Sequence, residues 1–459
     1  MAATLITAAQ AAHPRPIWCV SPQNWREIAK GLPAPALSFG EATGFKADAG
    51  SLLILPAADG SIAGVLFGCE DAPRDPLSFG KLATALPAGD YRLERGPANP
   101  RLAALGLLLG GYRFTRYRKR REPAIRLVVP DGVDQAEVER TAEAVTLTRD
   151  LVNTPANDLG PAEIEAAVRT LAARFGGSVR VTAGDDLLAA NFPMVHAVGR
   201  ASPRAPRLID LSWGDESAPK VTLVGKGVAF DTGGLDIKPS AGMLLMKKDM
   251  GGAASAIGLA QMIMSRNLPI RLRLIVPAVE NAVSGASFRP GDILPSRKGL
   301  SVEIGNTDAE GRLILADALA LADEEAPELL IDFATLTGAA RVALGPQLPP
   351  AYTDDDTLAA DLARHATAEA DPLWRMPLWR PYASMLDSPI ADMNNAPGGG
   401  FAGSITAALF LQRFVERARS WLHLDIYAWN PSNRPGRPEG GEAQTIRALD
   451  ALLAERYAR

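Results

Sequence analysis

Cysteine and histidine are scarce in this sequence of 459 residues, which excludes several kinds of site. The two cysteines, Cys19 and Cys69, are too few for a disulfide framework and suit a reducing compartment. No H-E-x-x-H pattern occurs, which argues against a histidine-based zinc protease. There is no G-x-S-x-G segment, and neither cysteine lies near a usable histidine, so nothing indicates a covalent nucleophile. The four histidines are His13, His196, His365 and His423.

Excess charge of one sign is also missing. The formal net charge is −4 and the pI about 5.8, so no overall field attracts nucleic acid or anionic lipid. One local basic cluster is interleaved with aromatic residues, and a short run of this kind is usually a solvated face. We therefore do not expect nucleic acid as a partner, although DNA binding stays an alternative function. The cluster comprises Arg113, Arg116, Arg118, Lys119, Arg120 and Arg121, with Tyr112, Phe114 and Tyr117 between them.

Long apolar runs are absent as well. No segment approaches the roughly 18 apolar residues that a membrane-spanning helix needs. The N-terminal stretch has only a short apolar run with no basic region before it, unlike a signal peptide. We expect a cytoplasmic protein with no membrane partner.

The order of the apolar patterns predicts an α/β protein with two domains. Residues 1–132 mix short strand-like runs with one helix-like stretch and predict a small α/β N-terminal domain. Residues 133–155 predict a connecting helix, which Asn153-Thr154-Pro155 should end. From 156 to 459, strand-like runs such as RLIDLSW, VTLVGKGV, SVEIGN and LLIDFATL alternate with helix-like runs. This alternation predicts a mostly parallel mixed sheet flanked by helices, with the chemistry beyond the carboxyl ends of its strands.

Four carboxylates lie in glycine-rich loops that follow the predicted strands: Asp231, Asp249, Asp308 and Glu310. Such groups repel one another unless cations lie between them, and carboxylate oxygens suit Mg²⁺, Mn²⁺ and Zn²⁺. Asp308 and Glu310 are two residues apart and share a face only if the backbone is extended. We therefore expect both at the end of the SVEIGN strand, with a helix beginning near Arg312.

Each of these residues also has a purely structural interpretation. Asp249 precedes a helical run and suits an N-cap, and Asp308 with Glu310 suits the acidic first turn of a helix. Lys226 and Lys238 in loops suit surface lysines. The coincidence of three such segments favours a functional site.

These segments carry a family resemblance. NTDAEGRL, residues 306 to 313, resembles the signature octapeptide of the leucyl aminopeptidases, also called cytosol aminopeptidases. VGKGVAFDTGGLDIKP and MKKDMGGAA resemble the two other metal-site segments of that family, in the same order. RDLVNTPAND, FATLTGAA, GSITAALFL and HLDIYAW extend the resemblance over roughly residues 149 to 430.

The resemblance implies an aminopeptidase with two divalent metal ions, Mn²⁺ or Zn²⁺, with Mg²⁺ as an alternative. It implies that Asp231 and Glu310 bridge the ions, that Asp308 completes one site, and that Lys226 with Asp249 completes the other. It further implies that Lys238 hydrogen-bonds the scissile carbonyl, and that Arg312 holds a bicarbonate ion as general base. A hydroxide bridging the metals would attack the carbonyl of the first residue.

The resemblance also implies a substrate pocket and an assembly. Met246, Asn306, Thr335 and Gly338 resemble a first-residue pocket for leucine-like side chains, and the family assembles as homo-hexamers.

Asp236 departs from the small hydroxyl residue of many relatives and is expected to add negative charge close to Lys238. HLDIYAW departs from the commonest family version at the pocket wall. A catalytically inactive scaffold and a carboxylate-metal phosphatase or amidohydrolase remain alternatives.

Overall fold

The computed structural model describes residues 3–32, 35–70, 75–118 and 124–458. Lys119, Arg120 and Arg121 of the basic cluster lie outside these residues. The chain divides into two compact units, residues 1–146 with 432–439 and residues 147–431 with 440–459. Residues 432–439, which the predicted boundaries place in the C-terminal domain, thus group with the N-terminal unit.

The N-terminal unit contains one six-stranded sheet in the order β1-β6-β5-β2-β4-β3. All neighbouring pairs are parallel except β3 with β4. Its strands are β1 Ala3–Ile6, β2 Arg15–Val20, β3 Leu52–Pro56, β4 Ile62–Gly68, β5 Gly89–Arg95 and β6 Ile125–Val128. Its helices are α1 Trp25–Lys30, α2 Ala36–Ala42, α3 Leu82–Ala85 and α4 Pro100–Gly110, with short 3₁₀ turns at Ala8–Gln10 and Ser78–Lys81.

Helix α5, Gln135–Asn153, occupies the segment that the sequence predicts as a helix. The C-terminal unit then continues with alternating strands and helices. Its strands are β7 Ser178–Ala183, β8 Arg207–Trp213, β9 Lys220–Gly225, β10 Gly227–Asp231, β11 Arg271–Asn281, β12 Ile293–Pro295, β13 Ser301–Glu303, β14 Leu329–Ala334, β15 Pro350–Tyr352, β16 Trp374–Arg375, β17 Met393–Asn394, β18 Ser420–Asp425, β19 Trp429–Asn430 and β20 Gly440–Gly441. Its helices are α6 Pro161–Phe175, α7 Asp186–Ala189, α8 Pro193–Gly199, α9 Ser240–Met243, α10 Gly251–Arg266, α11 Glu310–Asp323, α12 Gly338–Leu344, α13 Asp356–Ala368, α14 Gly403–Gln412 and α15 Ile446–Tyr457; 3₁₀ turns cover Met246–Met250 and Arg380–Leu386.

A nine-stranded mixed sheet forms the centre of this unit, in the order β16-β15-β18-β14-β9-β11-β8-β7, with β10 also paired to β11. Strands β18, β14, β9 and β11 are mutually parallel, whereas β8 runs antiparallel to β11 and β15 antiparallel to β18. The predicted mostly parallel sheet flanked by helices is therefore confirmed. SVEIGN is an exception, because β13 belongs to a separate three-stranded sheet with β12 and β17.

Two almost fully buried helices, α10 and α11, pack against the central strands. Helix α10 contacts β9 and β14, and α11 contacts β9 and β11. Most of their residues are apolar, as expected for a helix that has no face in water. Among the described residues, no helix is both long and apolar enough to cross a membrane. The N-terminal ends of α10 and α11 lie where the parallel strands end, and this places the candidate site.

Candidate metal and catalytic site

Lys226 lies at a break between β9 and β10, which continue one another along β11. Its backbone N–H donates to the carbonyl of Phe333 at 2.9 Å, and its carbonyl accepts from the N–H of Ala253 at 2.8 Å. Helix α10 approaches this closely because its second residue is Gly252, where a β-carbon would lie 2.2 Å from the Phe333 carbonyl oxygen. The strand break therefore aims the Lys226 side chain into a fixed position.

The carboxylates of Asp231, Asp308 and Glu310 converge, with one oxygen of each within 4.8 Å of the others. Asp231 ends β10, and its Oδ1 accepts from the N–H of Gly233 at 2.8 Å and from Nδ2 of Asn281 at 2.9 Å. The expectation of an extended chain through Asp308 and Glu310 was wrong. Strand β13 ends at Glu303, and α11 begins at Glu310, two residues earlier than predicted. A loop followed by the first helical residue brings the two carboxylates together instead.

Asp249 joins the same cluster through Lys226. It lies in the 3₁₀ turn Met246–Met250, and the N-cap of α10 is Met250, so the N-cap interpretation of Asp249 was wrong. The Asp249 carboxylate accepts from Oγ1 of Thr335 at 2.8 Å and lies 2.8 Å from Nζ of Lys226. The same Nζ lies 2.9 Å from Glu310.

Lys238 approaches the cluster from the other side. Its Nζ lies 2.9 Å from Asp231 and also contacts Asp308. Its side chain is 15% exposed and Lys226 is 3% exposed. The interpretation of the two residues as surface lysines was therefore wrong. The structure thus brings all six residues of the predicted metal and carbonyl-binding set into one cluster: Lys226, Asp231, Lys238, Asp249, Asp308 and Glu310.

Burial and mutual repulsion act on the ionisation of these groups. Burial, with the charge of Asp231 next in effect, raises the pKa of Glu310 to about 8. Burial and the charge of Asp249 raise the pKa of Asp231 to about 6. Burial opposes the charge of Lys226, but the carboxylates around it outweigh burial and raise its pKa. The four carboxylates of the cluster therefore carry more negative charge than its two lysines neutralise.

This donor set fits divalent cations. Within the described residues, Oε2 of Glu310 is buried and has no hydrogen-bond donor, although burying an unpaired carboxylate oxygen is unfavourable. Carboxylate oxygens and one amine suit Mn²⁺ and Zn²⁺, and two dications would balance the four carboxylates. Nearby cations also oppose protonation of an amine, which would let Lys226 act as a neutral ligand.

Sequence models of known families match both parts of the chain. The model described as cytosol aminopeptidase family, catalytic domain, matches residues 146–450, and the model described as M17 aminopeptidase, N-terminal domain, matches residues 16–130. This chain belongs to the cytosol aminopeptidase family. It is therefore a hydrolase of peptides, a metal-dependent aminopeptidase.

Individual relatives agree with this assignment. A probable cytosol aminopeptidase of Chlorobium limicola is 37% identical over 456 residues, which cover 89% of this chain and 90% of the relative. The cytosol aminopeptidase structure from Coxiella burnetii is 46% identical with a TM-score of 0.94 and covers 99% of each chain. The bottromycin maturation enzyme BotP in complex with Mn is 33% identical with a TM-score of 0.85, covering 97% of this chain and 100% of BotP.

Arg312 of this aminopeptidase is buried beside the cluster, with 7% exposure. Its Nη1 donates to the carbonyl of Asn395 at 2.7 Å, and its guanidinium lies 5.9 Å from the ring centroid of Phe410. Burial lowers the pKa of Arg312 to about 10. Its Nε has no hydrogen-bond acceptor among the described residues, so the group fits a small bound anion.

The predicted pocket residues lie around the metal-site loops. Met246 begins the 3₁₀ turn that holds Asp249, and Gly338 begins α12. Two of the four also hold the metal-site segments in place. Thr335 donates to Asp249, and Oδ1 of Asn306 accepts from the N–H of Asp308 at 2.7 Å.

Asp236 links two of the metal-site segments. Its Oδ2 accepts from the N–H of Thr307 at 2.7 Å, while its own N–H donates to Oγ1 of Thr307 at 2.8 Å. Among the ion pairs of the described residues, Lys238 contacts Asp231 and Asp308 but not Asp236. Asp236 therefore ties the loop that carries Lys238 to the segment that carries Asp308.

Asn395 is a site residue that the sequence analysis missed. Its Oδ1 accepts from the N–H groups of Gly305 and Asn306 at 2.8 and 3.2 Å, and its Nδ2 donates to the carbonyls of Asn306 and Ala309 at 2.7 and 3.3 Å. One buried side chain thus shapes the loop before Glu310, while its backbone carbonyl accepts from Arg312. The segment DMNNAP carries no chemical motif, so only the structure reveals this role.

Proposed function

We propose that this enzyme removes the first residue of peptides with a free N-terminus by using two divalent ions, Mn²⁺ or Zn²⁺, with Mg²⁺ as an alternative. The observation that carries the proposal is the convergence of five candidate ligands, four of which are buried while Asp308 is partly exposed. Lys226 and Asp249 would hold one ion, Asp308 would hold the other, and Asp231 with Glu310 would serve both. The unpaired Oε2 of Glu310 and the raised pKa values of Asp231 and Glu310 support these assignments.

When bound, the ions would supply a bridging hydroxide as nucleophile near neutral pH and a Lewis acid for the carbonyl. Lys238 stands beside two of the proposed ligands and donates a hydrogen bond to the scissile carbonyl oxygen. A fixed ammonium there stabilises the negative charge that develops on this oxygen as the carbonyl is attacked.

Arg312 holds a bicarbonate ion that acts as general base. Support comes from its buried Nε, which has no hydrogen-bond acceptor among the described residues, because burying a donor without an acceptor is unfavourable. Asn395 fixes the other end of the guanidinium and so orients it.

The family resemblance of the sequence also leads us to propose a substrate pocket, an assembly and a location for the enzyme. We assign Met246, Asn306, Thr335 and Gly338 to the pocket for the first side chain, which takes leucine-like residues. Large exposed apolar side chains, among them Ile237, Leu244 and Phe401, support a homo-hexameric assembly because such groups favour burial in an interface. We place the enzyme in the cytoplasm and assign it no nucleic-acid partner.

The test is release of leucine from Leu-peptides by metal-stripped protein, before and after Mn²⁺ or Zn²⁺ is resupplied, beside N-acetylated forms of the same peptides. Cleavage of the free-amine peptides alone, restored by metal, is expected. Absence of cleavage with every metal would contradict the proposal and favour the inactive scaffold. Lys238→Ala should lower kcat by about a hundredfold or more with metal content unchanged.

A further inference from the structure

Lys248 is a buried cation without an anionic partner. The residue is 6% exposed, and among the described residues its Nζ has no carboxylate within 4.0 Å and no hydrogen-bond acceptor. Its ammonium lies 4.5 Å from the ring centroid of Tyr427. A cation–π contact stabilises a buried ammonium only in part, so a charge placed here favours an anion that arrives from outside.

The position of Lys248 links it to the proposed pocket for the first side chain. It lies in the 3₁₀ turn that begins with the pocket residue Met246, directly before the metal ligand Asp249. Thr335, a second pocket residue, donates to Asp249. The N–H of Ile426 donates to the carbonyl of Ala334 at 2.8 Å, so the loop that carries Tyr427 runs beside the loop that carries Thr335.

A second cation lies close to the same ring. The guanidinium of Arg341 is 5.4 Å from the ring centroid of Tyr427, and Arg341 stands one helical turn after the pocket residue Gly338 in α12. Tyr427 itself belongs to the segment HLDIYAW, which departs from the commonest family version. Two carboxylates lie near Lys248, and both have other partners. Asp249 pairs with Lys226 at 2.8 Å, and Asp425 accepts from the N–H groups of Leu336 and Thr337 and from Oγ1 of Thr337. Two cations beside the pocket residues are not needed to bind a leucine side chain.

We propose that Lys248 is a specificity-determining residue that binds the side-chain carboxylate of the substrate's first residue. The enzyme then takes peptides that begin with glutamate or aspartate in addition to leucine-like residues. This inference rests on the proposed aminopeptidase function and names part of its substrate class. Met246 packs against the aliphatic part of the first side chain, and the Lys248 ammonium pairs with the carboxylate at its end.

The test compares three peptides that differ only in the first residue, which is Glu, Gln or Leu, by kcat/KM with the Mn²⁺-loaded enzyme. Gln has the shape of Glu without its charge, so the Glu-to-Gln ratio isolates the ion pair. We expect a ratio of about ten or more in the wild type, since a charge-assisted hydrogen bond in a desolvated site has this effect. Lys248→Met should lower the Glu-to-Gln ratio and the Glu-to-Leu ratio by about tenfold or more. Lys248→Arg, which restores the charge, should recover much of both ratios.

Lys247→Met is the matched control, because Lys247 lies in the same turn but donates to the carbonyl of Asn153 at 2.7 Å and stacks on Trp429. It should leave the Glu-to-Gln ratio as in the wild type. A wild-type ratio at or below one, with Leu-peptides cleaved, would overturn the role of Lys248 and leave the aminopeptidase function standing. A ratio that Lys248→Met does not change would do the same. Failure of the wild type on all three peptides would overturn both proposals.

Discussion

The side chain of Lys226 fills the space where a β-carbon on Gly311 would have to be. A β-carbon built at Gly311 would lie 2.6 Å from both Cε and Nζ of Lys226. Glycine in the first turn of α11 is therefore what lets the lysine reach Asp249 and Glu310. The octapeptide NTDAEGRL thus supplies two carboxylates and also the glycine that leaves space for the Lys226 side chain.

Gly311→Ala should displace Lys226 while α11 persists, because alanine favours a helix by about 1 kcal/mol over glycine. We expect metal affinity and kcat/KM on Leu-peptides each to fall by about tenfold or more, as for other changes that shift a ligand. Metal analysis after dialysis and steady-state kinetics measure the two effects. Gly242→Ala is the control, since its β-carbon would have Pro239 Cδ at 4.0 Å as its nearest neighbour. Wild-type metal affinity and turnover in Gly311→Ala would show that the lysine position is not critical.

Thr335→Val removes the hydroxyl that lies 2.8 Å from Oδ1 and 2.9 Å from the carbonyl oxygen of Asp249, with little change of shape. We expect metal affinity to fall by about 10- to 100-fold, because a ligand loses its orienting partner. Competition with a metal-binding dye gives the affinity. Thr170→Val, which loses only a bond to Ala166 on an exposed helix face, should leave the affinity as it is. If Thr335→Val instead keeps metal affinity and raises only the KM for peptides, Thr335 acts on the substrate alone.

How far the sequence predicts this site depends on the kind of contact involved. The four carboxylates could be named because they lie in glycine-rich loops after predicted strands, whereas the roles of Lys226 and Lys238 were implied only by the family resemblance. The backbone of Asp308 and Glu310 was predicted wrongly, because a shared face at a spacing of two residues favours an extended chain, while a loop that leads into the first residue of α11 brings the two carboxylates together instead. Asn395 escaped notice since its partners are backbone groups of residues 305 to 309, about 90 positions earlier in the chain. The main sheet was predictable from alternating apolar runs, whereas the separate sheet that contains β13 depends on a pairing with β17 that no local pattern reveals.

Asp210 provides a test of stability against pH at a distance from the proposed metal ligands. Its Oδ1 accepts from Nε of Arg273 at 2.9 Å, and its Oδ2 accepts from Nη2 of Arg273 at 2.8 Å and from Nη2 of Arg180 at 3.0 Å. Burial opposes ionisation of Asp210, but the two arginines outweigh burial and hold the pKa of this carboxyl below its usual value. A lowered folded-state pKa stabilises the fold above the unfolded pKa of about 3.9, and this stabilisation is lost as pH falls through the folded value.

Asp210→Asn should therefore lower the free energy of unfolding at pH 7 by about 3 kcal/mol, since it breaks a largely buried pair. The difference from the wild type should shrink as the pH falls below about 4. Urea unfolding at a series of pH values measures both. Asp215→Asn is the control. Among the described residues, the exposed Asp215 carboxylate accepts only from the nearby Ser217, so this change should alter the unfolding midpoint little. A difference that stays constant down to pH 3 would rule out ionisation of Asp210 as its origin.

The central claim is that five side chains hold two ions, and anomalous X-ray diffraction from crystals grown with Mn²⁺ tests it most directly. We predict two anomalous peaks about 3.5–4 Å apart, with Asp231 and Glu310 touching both. Nζ of Lys226 and Asp249 should coordinate one ion, and Asp308 should coordinate the other. A single peak, peaks away from these residues, or a Lys226 that stays ion-paired to Glu310 beside a bound metal would contradict the account.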